Sequence, residues 1–65
     1  MNLEQIARQA MDYLDSVGVA AEYEIAHMNL KIFTDEHVFI CVCDDSFIYF
    51  MSDISYTYPQ KSPAK

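Results

Sequence analysis

Gly18 is the only glycine among 65 residues, and the spacing of apolar residues changes across it. Before it, Leu3, Ile6, Ala7, Ala10, Met11, Leu14 and Val17 recur at intervals of three and four, the stripe of an amphipathic helix. After it, in "VAAEYEI", Val19, Ala21, Tyr23 and Ile25 alternate with polar or small residues, the period of a strand. Glycine takes the left-handed backbone that closes a helix at the lowest steric cost. A helix over residues 2–17 is therefore expected first, and extended chain after it. Asn2 suits the N-cap, and Gln5 stands three residues on, as a capping box requires.

Two-residue turns at His27-Met28, Asp35-Glu36 and Asp44-Asp45 divide the rest into strands over residues 19–25, 29–34, 37–43 and 46–52. Short loops fix the register. Ile25 then faces Leu30, Glu24 faces Lys31, Tyr23 faces Ile32, Phe33 faces Val38 and Ile32 faces Phe39. Across the last turn, Val42 would face Phe47, Cys41 Ile48, Ile40 Tyr49, Phe39 Phe50 and Val38 Met51. A helical reading of residues 19–33 also exists, since Val19, Tyr23, Ala26, Leu30 and Phe33 share helical spacing, but the turn chemistry assembles better with strands. The expected fold is α+β: one N-terminal helix on a four-stranded antiparallel meander. Residues 1–58 form one domain, and residues 59–65, with "QKSPAK", a tail without periodicity.

The stretch "HVFICVCDDSFIYFM" raises a difficulty, because both faces of its strands are apolar. One face, with Ala21, Tyr23, Ile25, Leu30, Ile32, Phe39, Cys41, Ile48 and Phe50, would seat the helix. The other would carry Glu22, Glu24 and Lys31 on its first half and Val38, Ile40, Val42, Phe47, Tyr49 and Met51 on its second. One helix covers one face only. Unless "SDISYTYP" folds back over it, the six-residue cluster is a surface for a protein partner, most simply a second copy across a two-fold axis. A chain this short also gains from such a supplement, since it buries only about 60% of its unfolded surface.

Ten Asp and Glu stand against four Lys and Arg, for a net charge of −6. All ten acidic residues, but only two of the basic ones, precede Lys61. Direct binding to a phosphate backbone needs clustered Lys and Arg and is not expected. Five tyrosines and four phenylalanines could stack bases, but the flanking cations of such platforms are missing. An acidic surface of Glu22, Glu24, Asp35, Glu36, Asp44 and Asp45 could instead dock on a basic site. The alternative function is thus a compact acidic inhibitor of the phage type, anti-CRISPR or anti-restriction-like, mimicking nucleic acid on a host enzyme.

Cys41 and Cys43 would share one strand face about 6.6 Å apart, too badly placed for an unstrained disulfide. Zinc wants four ligands; His37 would lie about 13 Å along the strand from Cys41, and His27 at the far end of its hairpin. No metal or cofactor is expected. No serine stands in a nucleophile elbow, one glycine cannot make a phosphate loop, and Asp44-Asp45 has the composition of an ordinary turn. No enzyme is expected. The amphipathic N-terminus has no secretory apolar core, no apolar run approaches about 20 residues, and two cysteines form no secreted framework. These point to the cytoplasm, away from membranes.

The helix "LEQIARQAMDYLDSVGV", a short strand and "LKIFTDEHVFICVCDDSFIYF", with its acidic turn and Asp-Asp-x-Phe, together resemble the small YbjN-like proteins related in fold to type III secretion chaperones. The similarity lies in hydrophobic spacing over roughly residues 3–51, and the second and third helices of the secretion chaperones are missing from the expected fold. The resemblance implies a non-enzymatic α+β adaptor or chaperone-like module that dimerises or holds another polypeptide. It carries over no catalytic residues.

Overall fold

A computed structural model describes residues 2–42 and 47–60. The first element, α1 (Leu3–Ser16), opens with the expected capping box: the Gln5 amide donates to Asn2 Oδ1 at 2.9 Å, and the Asn2 amide donates to Gln5 Oε1 at 3.0 Å. At its end Gly18 adopts φ 80°. The Val19 amide reaches back to the Leu14 carbonyl at 2.9 Å, and the Gly18 amide to the Asp15 carbonyl at 3.1 Å. That pair of bonds is a Schellman closure, and it satisfies carbonyls the helix would otherwise leave open. Val19 is thus part of the helix cap, and the first strand starts later than expected.

Three strands follow, β1 (Glu22–Ala26), β2 (Asn29–Phe33) and β3 (Val38–Cys41), in an antiparallel sheet of order β1-β2-β3. The registers are those expected: Tyr23 with Ile32, Glu24 with Lys31, Ile25 with Leu30, Ile32 with Phe39 and Phe33 with Val38. His27 and Met28 form the first turn, both with positive φ, 53° and 65°. In the second turn Thr34 does double duty. Its amide donates to the His37 carbonyl at 2.9 Å, while its Oγ1 accepts from the His37 amide at 3.1 Å.

The fourth strand is overturned. Residues 47–57 form a second helix, α2 (Phe47–Thr57), so the architecture is α+β, with two helices and three strands among the described residues. None of the expected pairings of Phe47, Ile48, Tyr49, Phe50 and Met51 with β3 forms, because the sheet ends at β3. The physical reason lies just beyond the segment that looked like a strand. Phe47, Phe50, Met51, Ile54 and Tyr58 recur at three and four, and all pack in or against the core. A run apolar on both faces over a few residues satisfies either period; only the continuation through Ile54 and Tyr58 separates them. The expected turn at Asp44-Asp45 and the tail from Lys61 lie outside the described residues.

The helices share one side of the sheet. Ile6, Ala7, Ala10 and Leu14 of α1 meet Leu30, Ile32, Phe39 and Cys41 of the strands and Phe50 and Ile54 of α2. α1 packs on β1 and β2, and α2 on β3 and α1. Tyr58 locks the assembly: its carbonyl accepts from the Tyr13 hydroxyl at 2.7 Å, and its own hydroxyl lies 2.9 Å from Thr34 Oγ1. Its ring meets His37 edge-on at 5.6 Å and Phe39 at 6.3 Å. The segment that could have folded back over the outer face of the sheet is therefore committed to the inner one. Among the described residues no helix is long and apolar enough to cross a membrane.

Candidate interaction surface

Because both helices lie on one side, the other side of the sheet has no cover among the described residues. The burial of β3 alternates strictly, Phe39 and Cys41 inward and buried, Val38 and Ile40 outward. Val38, Ile40 and Val42 stand 54%, 52% and 61% exposed. That is high for β-branched residues, whose gain from burial is about 1.5–3 kcal/mol each. They run along one rim of the sheet, since among the described residues β3 has a neighbour on one side only.

The six expected contact residues therefore split. Val38, Ile40 and Val42 share the outer face as read. Phe47, Tyr49 and Met51 do not extend it, because they belong to α2. Phe47 and Met51 are half-buried and pack against the core, while Tyr49 is exposed on the outer side of the helix. The expected seat for the helix is corrected in the same way. Ile48, assigned to the core, is exposed on α2, and Tyr23 and Ile25 are more than a third exposed, because β1 is an edge strand that α1 covers only in part. Exposed Met28 and Tyr56 also escaped the sequence reading. For Tyr56 a signal existed: it stands on the side of α2 opposite Ile54, once the segment is read as helix.

The acidic residues are distributed rather than gathered. Glu22 and Glu24 lie on the outer face of β1, with Glu24 opposite Lys31 and Glu22 opposite Phe33. Asp35 and Glu36 occupy the β2–β3 turn, and Glu22 and Asp35 border one shallow groove beside Ala20, Ala21, Phe33 and Thr34. Asp44 and Asp45 lie outside the described residues. On the inner side, the Tyr23 hydroxyl donates to Glu4 Oε2 at 2.8 Å and ties β1 to α1. That bond, and the charge of Glu4 beside it, hold the phenol above its usual pKa of 10.0.

Cys41 is buried in the core; Cys43 lies outside the described residues. Among the described residues no group of three or more His, Cys, Asp or Glu is placed to hold a metal ion. Comparison with protein families, curated proteins and solved structures finds no match to this chain.

Proposed function

We propose that this chain is a small acidic, non-enzymatic module that binds protein through the apolar strip on the outer face of its sheet, as an adaptor or chaperone-like component, with self-association among its contacts. One observation carries the reading: Val38, Ile40 and Val42 lie side by side, more than half exposed, along a strand that has no neighbour on one side among the described residues. A fold that needs core and leaves three β-branched residues in water gains most by covering them with another polypeptide.

A second reading, an acidic inhibitor occupying a basic nucleic-acid site, draws on the groove that Glu22 and Asp35 share. The two differ in their response to salt. Apolar docking survives high ionic strength, whereas charge mimicry weakens steeply. Affinity capture from the native host with wild type, Ile40→Asp and a Glu22→Lys/Glu24→Lys double variant separates them. The apolar reading expects a bound protein that is lost with Ile40→Asp and kept with the charge reversals at high salt. The opposite pattern supports mimicry. A partner insensitive to all three substitutions removes both surfaces from consideration.

A further inference from the structure

We propose that β3 pairs antiparallel with β3 of a second copy of this chain, about a two-fold axis at Ile40, and joins two three-stranded sheets into one of six strands. This pairing rests on the protein-binding reading above and names its occupant.

The direction of the backbone groups comes from the ladder between β2 and β3. The Thr34 amide bonds to the His37 carbonyl, and in an antiparallel pair the hydrogen-bonded positions then alternate. Phe39, opposite Ile32, and Cys41, opposite Leu30, turn their N–H and C=O toward β2. Val38 and Ile40 turn theirs the other way, to the rim, while the carbonyl of Val42, one residue past β3, lies 3.3 Å from the Asn29 side-chain amide. Val38 and Ile40 therefore present apolar side chains on the outer face and backbone groups outward along the sheet. A strand laid against this rim meets both at once.

A second copy fits that rim by register. Val38-x-Ile40-x-Val42 reads nearly the same in both directions, so a two-fold axis at Ile40 puts Ile40 opposite its copy and Val38 opposite the copy's Val42. Each facing pair exchanges two backbone hydrogen bonds, and the side chains form a ladder of β-branched residues on one face. On the inner face Phe39 comes opposite the copy's Cys41. Val42 stands one residue beyond β3, so the pairing extends the strand by that residue and turns its carbonyl from the Asn29 side chain to the rim.

Charge selects the same edge. Each chain carries −6, and two copies must approach where repulsion is least. β3, "VFIC", has no charged residue, whereas the opposite rim, β1, has Glu22 and Glu24. Among the devices by which edge strands avoid self-pairing are a lysine, a proline and a bulge. β3 has neither lysine nor proline, and its pairing with β2 runs without a bulge.

Hydrogen exchange with sedimentation velocity tests the pairing on the intact chain. Wild type should be dimeric at tens of micromolar. The amides of Val38, Ile40 and Val42 should then exchange at least about tenfold more slowly than in dilute protein, while Phe39 and Cys41, bonded to β2, stay protected at both concentrations. Ile40→Pro keeps an apolar residue and removes an N–H that bonds nothing on β2. It should leave the circular dichroism spectrum unchanged and abolish the dimer, whereas face-to-face packing would tolerate it. A monomeric wild type at hundreds of micromolar overturns the pairing. So does a dimer whose three rim amides exchange as fast as in dilute protein. In either case, capture of a partner that Ile40→Asp abolishes still decides the protein-binding reading separately.

Discussion

Met28 holds a backbone conformation that suits glycine. In a two-residue hairpin turn both central residues take positive φ, and Asn-Gly is the favoured pair; here the positions are His27 and Met28. The left-handed region costs an ordinary residue roughly 1–2 kcal/mol, and exposed Met28 recovers none of it by packing. Met28→Gly is expected to raise stability by about 1 kcal/mol, after allowance for the freedom glycine adds to the unfolded chain. Gly18→Ala should act with the opposite sign and similar size: a Cβ there would meet nothing within 4 Å, so the whole cost is the φ of 80°. Urea denaturation of the two variants reads both. Tyr23 offers a test by pH. Its folded pKa is raised by the bond to Glu4, so the contribution of that bond is complete below pH 10 and is lost as pH rises through the raised folded value. The melting temperature of wild type minus that of Tyr23→Phe should be positive at neutral pH and fall toward zero in strong alkali. The difference between the two proteins cancels the other tyrosines.

At the scale of elements, the two helices contrast. α1 was legible because Asn2, Gln5 and Gly18 mark its ends and its apolar stripe is narrow. The hairpins were legible too, since short loops between alternating segments leave few registers, and the register places every inward residue of β2 and β3 correctly. α2 was not legible. Its sequence "FIYFMSDISYT" is rich in aromatic and β-branched residues, which favour strands when half-buried. What makes it helical is that Phe50 and Ile54 reach a core already formed by α1 and the sheet, and tertiary packing outweighs propensity. Ser52→Pro separates the two states. In mid-helix, proline removes a bond and clashes with the carbonyl of Ile48, at a cost of about 3 kcal/mol or more. As the last residue of a strand it would cost little. The expected outcome is a large loss in urea stability, with Ser52→Ala close to wild type.

For the molecule as a whole, charge and apolar surface act against each other. Copies at net −6 repel, and the repulsion reaches about 30 Å at 0.01 M salt but about 8 Å at 0.15 M. Raising salt over that range should tighten the proposed self-association severalfold, as sedimentation equilibrium would show; weakening with salt would mean that opposite charges hold the copies together. The outer face was half legible. Val38, Ile40 and Val42 could be assigned to one surface from alternation alone, because the period of a strand is a local property of the backbone. Phe47, Tyr49 and Met51 could not, because their place depends on whether the chain after residue 46 adds to the sheet or crosses to its inner side. The sequence by itself determined the first helix with its caps, the three strands and their registers, and the acidic charge, since each follows from residues within a turn or a hairpin of one another. Only the tertiary structure decided that residues 47–57 are helix, that Ile54 and Tyr58 close the inner side, and that β3 is a rim. Those outcomes depend on which of two apolar faces finds the core first, and a segment apolar on both faces does not encode that choice locally.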